Sequence, residues 1–233
     1  MKATLANNLG LQLTGRTVDH VVPYKGKHRL HPDALQAFIN LQAAAQRDGL
    51  NLEIVSSFRD YQRQTLIWNR KARGETTLLD IHSHPLNYES LSSDQLIDTI
   101  LRWSALPGAS RHHWGTDIDV FEASVMMPEQ VKLVPAEYAS GGPFYELHRW
   151  IDEKILTFSD EGFYRPYLND LGGTSPESWH LSFAPMAQKF YSSYDIDLFV
   201  ENIKSSADLE LRDALLDRAE EIYNRFFHAV DLP

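Results

Sequence analysis

Apolar residues recur at helical spacing in five stretches of the chain and alternate with polar residues in three shorter ones. Leu35, Phe38 and Leu41 mark one face of a helix predicted over 32–49, which opens on a proline and closes on a glycine. A second helix is predicted to follow residues 58–61 and to end near Gly74. The remaining helices are predicted over 91–104, 144–156 and 209–227, and the strands over 51–56, 116–121 and 179–183.

Helices precede, interrupt and follow the strands, and this order is typical of an α+β fold. We expect a small, mostly antiparallel sheet flanked by helices, with a C-terminal helical extension. Residues 1–31 read as an irregular N-terminal arm on a domain spanning 32–190, and residues 191–233 as a helical extension packed on that domain. Residues 75–90 and 123–143 are predicted to form loops because turn-forming residues interrupt any periodicity there.

Composition narrows the classes of function. The 233 residues carry 32 acidic and 22 basic side chains, a formal net charge of -10, which argues against a nucleic-acid binder because phosphate neutralisation needs a basic surface. There is no cysteine. Disulfides are therefore excluded, and any metal must be held by nitrogen and oxygen ligands.

No stretch of the chain is apolar enough to predict a membrane span, and the first twenty residues lack the apolar core of a signal peptide. If Met1 is the native start, we expect a cytoplasmic protein without a membrane partner. A chain cut from a longer precursor would instead be expected in the periplasm. The sequence predicts no particular oligomeric state.

Two segments supply the side chains of a catalytic zinc site. His112, Asp119 and His180 can provide three protein ligands, the usual number in zinc hydrolases, which leave the fourth position open. Asp119 belongs to a predicted strand, which would hold its carboxylate rigidly. Glu177, three residues before His180, is the candidate general base that takes a proton from the attacking water.

Neighbouring residues each have more than one interpretation. His113 is a rival to His112 as a ligand, and we expect it to support the site or to line the cleft instead. Asp117 could orient a ligating histidine through its second ring nitrogen or could simply be solvated. His82 and His84 lie in a predicted loop and are interpreted as structural or as part of the cleft rim.

The spacing of these residues resembles that of the zinc D-alanyl-D-alanine carboxypeptidases of the vancomycin-resistance type. This family belongs to a superfamily that also contains lysostaphin-type enzymes and hedgehog signalling domains. The matching pattern reads Ser110-x-His112-x-x-Gly115-x-x-x-Asp119 followed by Glu177-x-x-His180. Upstream, the segment from Ser56 to Gln64 is similar to the family's Ser-Gly-Tyr-Arg-Ser-Tyr-x-x-Gln element, with Ser57 in place of its glycine.

Four more residues are candidates for substrate binding, and the resemblance supports one of them, Arg59. Arg59 would bind the terminal carboxylate of the substrate or face the developing oxyanion, although an arginine in this place could also form a surface ion pair. Gln64 and Ser110 could donate hydrogen bonds to the substrate, or could be a helix-surface residue and a turn residue. Trp179, like Trp114, could wall the cleft or belong to the core.

The implied activity is removal of the terminal D-alanine from peptidoglycan stem peptides, by either a D,D- or an L,D-carboxypeptidase. A cytoplasmic enzyme would act on recycled muropeptides or on cell-wall precursors. Residues 114–119 are also similar to the penicillin-insensitive murein endopeptidases, so an endopeptidase is one alternative. Another is a non-catalytic zinc-binding or peptidoglycan-binding module, but such a module would have no need of Glu177.

Overall fold

A computed structural model describes residues 2–156 and 162–233 of the chain. Its helices are α1 (Asn8–Leu13), α2 (Pro32–Arg47), α3 (Tyr61–Ala72), α4 (Ser93–Trp103), α5 (Pro135–Tyr138), α6 (Tyr145–Leu156), α7 (Ala184–Ser193), α8 (Ile196–Ser205), α9 (Arg212–Asp217) and α10 (Ala219–Ile222). Its strands are β1 (Val22–Tyr24), β2 (His28–Leu30), β3 (Leu52–Ser56), β4 (Asp117–Glu122), β5 (Phe163–Tyr164) and β6 (His180–Phe183). The α+β prediction is confirmed.

A four-stranded antiparallel sheet with the order β3-β4-β6-β5 forms the centre of the site-bearing half. Ile118 and Val120 of β4 and Leu181 of β6 are fully buried in a core shared with α2 and α6. Because side chains alternate along a strand, Asp117 and Asp119 point to the opposite face. The sheet therefore presents its acidic side chains away from this core.

A second core lies among the helices. It unites residues of α3 and α4 with residues of the C-terminal helices α7 to α10, and Trp68 and Ile100 are fully buried within it. In the described part of the chain, no helix combines the length and the apolar character that a bilayer crossing requires. The C-terminal helices are thus packed tightly against the helices that follow β3.

The prediction that residues 1–31 are irregular is wrong. Asn7 caps α1 by accepting a hydrogen bond from the Gly10 backbone, and β1 and β2 form a hairpin whose turn contains Gly26 at a positive φ of 61°. Each of these elements has only three to six residues. Such lengths are too short to produce a readable hydrophobic period.

The prediction of one helix over 209–227 is also wrong in part. Leu215, Ala219 and Ile222 are buried as the predicted apolar stripe requires. However, α9 begins only after Leu211, which has a positive φ of 63°, and a π-helical turn over Tyr223–His228 follows α10. Helices α7 and α8 were not predicted.

Candidate active site

The three predicted metal ligands converge at one end of the central strands. Asp119 and His180 are directly paired residues of the antiparallel strands β4 and β6, and His112 belongs to the 3-10 turn that leads into β4. Gly115 ends that turn at a positive φ of 70°. The donor atoms of all three side chains lie within 4.8 Å of one another, and all three residues are buried.

Hydrogen bonds fix which ring nitrogen of each histidine faces the cluster. Nδ1 of His112 lies 2.9 Å from the Ser57 carbonyl, which can only accept, so Nδ1 carries the proton and Nε2 presents a lone pair. Nε2 of His180 lies 2.9 Å from an Asp117 carboxylate oxygen and donates to it, which leaves Nδ1 as the free lone pair. Both imidazoles are thus oriented as ligands.

The cluster has the form of a cation site. The Nε2 atom of His112 lies 3.3 Å from Asp119 Oδ2, and the Nδ1 atom of His180 lies 3.1 Å from Asp119 Oδ1. Ligand atoms at about 2.0–2.1 Å from a tetrahedral zinc stand roughly 3.3 Å apart, so these separations fit. Asp119 Oδ1 and His180 Nδ1 are also buried without a hydrogen-bond partner among the described residues.

The charge state of the ligands agrees with this interpretation. Burial and the nearby Arg59 charge lower the pKa of His112, which is therefore a neutral imidazole. Burial also lowers the pKa of His180, but its hydrogen bond to Asp117 and the nearby carboxylates of Asp119 and Glu177 outweigh it and hold that pKa well above its usual value. The carboxylates around His180 thus favour a positive charge at this point, whether a proton or a metal ion carries it.

Asp117 is held as a charged anchor beneath the cluster. Burial alone would raise its pKa, but a salt bridge of 2.8 Å to Arg111 and the hydrogen bond from His180 hold that pKa well below its usual range. Thr116 and Ser182 donate hydroxyl hydrogen bonds of 2.6 Å and 3.1 Å to its other oxygen. The proposed role of Asp117 in orienting a ligating histidine therefore matches the geometry.

Glu177 lies beside the cluster. One of its carboxylate oxygens is 3.4 Å from Nδ1 of His180, and its side chain is 14% exposed, more than either histidine. Its backbone N–H donates to the Tyr167 carbonyl at 2.9 Å, and the Tyr167 ring packs edge-on against His180 with centroids 5.0 Å apart. A base in this position reaches both the metal site and the open cavity next to it.

A cavity of about 270 Å³ opens over the three ligands. Other residues that contribute to its lining are Arg59, Lys71, Trp103, Ser110, Glu177 and Trp179. Arg59 is partly buried, its Nε atom has no hydrogen-bond partner among the described residues, and no surface ion pair forms there. The guanidinium therefore faces the cavity as a cation available to an anionic group.

The other predicted substrate-binding residues differ in position. Ser110 and Trp179 line the cavity, and Trp179 also packs in a small aromatic core with Phe121 and Tyr138. Gln64 lies behind the wall, where its amide donates to the Ala105 carbonyl at 2.7 Å and its own Oε1 has no partner among the described residues. Gln64 therefore lies farther from the cavity than a direct contact with the substrate would require. Its expected role in substrate binding stays a prediction.

His113 is turned away from the cluster that holds His112. Its Nδ1–H donates to the Arg59 carbonyl at 2.6 Å, and its Nε2 accepts from the Gly108 N–H at 3.0 Å. Burial lowers its pKa to about 3, so the ring is neutral and can make both bonds. His113 thus fixes the backbone of Arg59, a role that the sequence interpretation described only as support for the site.

Two other groups are structural. Asp80 accepts backbone hydrogen bonds of 2.8 Å from both His82 and His84, which organises an exposed loop next to the cavity residue Leu79. Trp114 is fully buried in the helical core, with its indole N–H donating to the Leu13 carbonyl at 3.3 Å.

Sequence reasoning missed several residues of the site. Tyr167 and Lys71 line the cavity, and the Ser57 carbonyl and Arg111 hold the ligands from behind. Arg111 stands next to a predicted ligand, and a basic residue there was a detectable signal. A backbone carbonyl leaves no trace in the sequence, and only the fold shows which residues Lys71 faces.

Comparisons with known proteins agree with this geometry. The model of the VanY family, described as D-alanyl-D-alanine carboxypeptidase, matches residues 27–186. An uncharacterized protein of Haemophilus influenzae is 43% identical over 98 residues, which are 40% of this chain and 67% of that protein.

Two solved structures share the fold. VanYB in complex with D-alanine-D-alanine has a TM-score of 0.53 at 18% identity and covers 88% of this chain and 97% of its own. A mutant of the vancomycin resistance D,D-pentapeptidase VanY in complex with Zn(II) has a TM-score of 0.52 at 19% identity, with 82% and 92% covered.

Proposed function

Because this chain belongs to the VanY family of D-alanyl-D-alanine carboxypeptidases, we propose that it removes the terminal D-alanine from peptidoglycan stem peptides. A zinc ion held by His112, Asp119 and His180 is the proposed cofactor. The VanY mutant structure that shares this fold is a Zn(II) complex, and the three side chains here have the donor types and separations that zinc uses.

The observation that carries the proposal is the grouping of three functions in one cavity. The metal ligands, the candidate base Glu177 and the unpaired guanidinium of Arg59 all face the same space of about 270 Å³. A binding module would need the ligands alone. A base beside the metal site and a cation able to bind a terminal carboxylate together favour an exopeptidase.

Each side chain has a distinct task in the hydrolysis. A zinc ion held by His112, Asp119 and His180 would supply a Lewis acid for the scissile carbonyl and would make water acidic enough to ionise near neutral pH. Glu177 accepts a proton from the attacking water as the water oxygen bonds to the carbonyl carbon. It then delivers that proton to the amine nitrogen of D-alanine as the C–N bond breaks.

Arg59 positions the substrate for this step. Its planar guanidinium can bind both oxygens of a terminal carboxylate, and burial strengthens the interaction because little water screens it. Burial lowers the pKa of Arg59, but an arginine remains charged at any physiological pH. The bound carboxylate would fix the scissile bond beside Glu177, so that proximity contributes to the rate.

We propose soluble muropeptides of the cytoplasm, recycled or newly made, as the substrate pool. A cavity of this size admits the end of a peptide, as any substrate with a free terminus requires. Fractionation of cells that carry a tagged protein tests the location. Accumulation of untrimmed soluble peptides in a strain that lacks the protein tests the proposed substrate pool.

The decisive experiment incubates the zinc-loaded protein with a stem tetrapeptide, a stem pentapeptide and a cross-linked dimer. Mass spectrometry of the products identifies the bond. We expect D-alanine from the tetrapeptide, the pentapeptide or both, and no release after chelation of zinc or in Glu177→Ala. Cleavage of the dimer alone would indicate an endopeptidase, and full activity without zinc would refute the mechanism.

A further inference from the structure

Lys71 is a second cation in the cavity that the proposed mechanism does not use. It lies in the last turn of α3, seven residues after Gln64 and therefore on the same helical face. Side chains of a helix lean toward its N-terminus, which places the ammonium on the side of the cavity wall that Gln64 supports. Lys71 is partly buried and contributes directly to the cavity lining.

The ammonium of Lys71 has no hydrogen bond or salt bridge among the described residues. Among the described residues, three other lysines are paired with carboxylates, as Lys25 is with Glu53 at 2.8 Å. Burial and the neighbouring Arg59 charge lower the pKa of Lys71 to about 8, although the charge of Glu177 opposes them, so a further anion would favour the charged ammonium. A partly buried cation that lines a substrate cavity without a hydrogen bond or salt bridge indicates an anionic group on the ligand.

The terminal carboxylate of the substrate is not the best partner for Lys71. Arg59 lies two residues before α3 begins, whereas Lys71 lies at the opposite end of that helix. The ten helical steps from Tyr61 to Lys71 correspond to a backbone rise of about 15 Å along the axis, so the Arg59 and Lys71 side chains enter the cavity from opposite ends of α3. The planar guanidinium of Arg59 can bind both oxygens of one carboxylate. Lys71 is therefore placed to bind a different carboxylate.

We propose that Lys71 binds a second carboxylate of the stem peptide, on the acyl side of the scissile bond. This inference rests on the proposed function. The departing D-alanine has a methyl side chain and a single carboxylate, which Arg59 binds, so any further carboxylate must precede the scissile bond. Two sources fit this chemistry: the side-chain carboxylate of a diaminopimelate residue, or the free α-carboxylate of the γ-linked D-glutamate before it.

Three synthetic tetrapeptides separate the two sources. The parent is L-Ala-γ-D-Glu-meso-diaminopimelate-D-Ala. The second peptide has L-lysine in place of diaminopimelate, and the third has the D-glutamate α-carboxylate converted to an amide. Wild type, Lys71→Met and Lys71→Arg are compared for kcat/KM on each peptide. Lys189→Met is the matched control, because Lys189 is exposed to solvent and does not line the cavity.

We expect wild type to cleave the parent about tenfold better than one of the two altered peptides, the difference a lost charged contact makes. Lys71→Met should lose that preference by slowing only the peptides that keep the carboxylate, and Lys71→Arg and Lys189→Met should retain it. If Lys71→Met slows all three peptides equally, or if wild type shows no preference, the inference is wrong.

Binding separates this inference from the proposed function. Calorimetry with the zinc-loaded Glu177→Gln protein measures affinity for the three peptides without turnover. A preference in affinity that depends on Lys71 supports the second carboxylate site, whether or not the wild type releases D-alanine. Failure of the wild type to release D-alanine would refute the proposed carboxypeptidase activity alone. Equal affinities with and without Lys71 would overturn the inference while leaving the hydrolysis untouched.

Discussion

The cavity has two walls that are built in different ways. The metal wall, formed by Asp119 of β4 and His180 of β6 with His112 beside them, depends on one strand pairing. The cation wall, formed by Arg59 and Lys71 at the two ends of α3, depends on contacts from distant parts of the chain. The two walls therefore rest on separate structural supports.

The metal wall is defined locally. Asp119 and His180 face each other because the register of β4 and β6 pairs them, and Asp117, two residues earlier on the same face, reaches His180 Nε2. Strands that bury an apolar face permit little change of register, because a shift by one residue would turn every side chain to the opposite face of the sheet. The ligand geometry thus follows directly from the sheet.

The cation wall is defined by segments at both ends of the chain. The Gly15 carbonyl accepts from the Tyr61 N–H at 2.8 Å, and the Arg16 guanidinium lies 3.6 Å from the centre of the Tyr61 ring. Arg16 in turn donates to Asn202 of α8 at 2.9 Å. Residues 15, 16 and 202 lie outside the region 27–186 that matches the family, so segments beyond that region support the cation wall.

The largest expected effect is on chemistry at the metal wall. Glu177→Gln removes the proton acceptor and should lower kcat by about 10²- to 10⁴-fold. Zinc content, measured by mass spectrometry of the metal, should not change because Glu177 is not one of the three ligands. Glu129→Gln, an exposed site, is the control. Unchanged kcat in Glu177→Gln would remove Glu177 from the mechanism.

Substitution of the adjacent histidines should separate the two walls. His112→Ala should lose zinc. His113→Leu should keep zinc but raise KM about 10- to 100-fold, because Arg59 is no longer held by the 2.6 Å bond to its carbonyl. His113→Asn, whose amide can still donate from nearly the same place, should recover much of the loss. Zinc loss in His113→Leu would contradict the separate roles.

A smaller effect should follow from a distant contact. Asn202 is fully buried and bridges Arg16 to the Pro107 carbonyl, to which it donates at 2.7 Å. Asn202→Ala should lower the free energy of unfolding by about 1–3 kcal/mol, since it leaves buried partners unsatisfied. KM should rise a few-fold at an unchanged zinc affinity, measured by competition with a chelator. The exposed Lys204→Ala is the control, and a changed zinc affinity would argue against separate supports.

The smallest effect is a pH dependence of stability. His148 accepts a hydrogen bond of 3.0 Å from Arg165, which also donates to the Ser178 carbonyl next to Glu177. Burial and the Arg165 charge lower the pKa of His148 to about 4, while the unfolded chain takes up this proton near pH 6.5. The stabilisation is therefore present above pH 6.5 and is lost as the pH falls toward 4.

Solvent screening limits the size of this effect, because the His148 side chain is 23% exposed. The slope should stay below about 1.4 kcal/mol per pH unit. Denaturant unfolding between pH 7 and pH 4 should show a flatter profile for His148→Gln, which can accept the same hydrogen bond without titrating. Identical profiles would exclude His148 as the source.

The metal wall could largely be predicted from the sequence, and the cation wall could not. The ligands, Glu177 and the strand that holds Asp119 follow from residue types and short spacings. The anchoring of Arg59 by His113 and the placement of Lys71 depend on contacts between residues about 50 or more positions apart, or on which face of a helix meets a cavity. The hairpin of β1 and β2 was missed because three-residue strands carry no readable period.

One comparison of two substrates would test most directly whether zinc-dependent hydrolysis and recognition of the terminal carboxylate take place in the same cavity. A stem tetrapeptide with a free terminal carboxylate and the same peptide with a terminal carboxamide are given to the zinc-loaded protein, and cleavage of the last peptide bond is measured. We predict that the carboxamide is cleaved at least about 100-fold more slowly, because Arg59 loses its charged partner. Equal rates for the two peptides would contradict a carboxypeptidase.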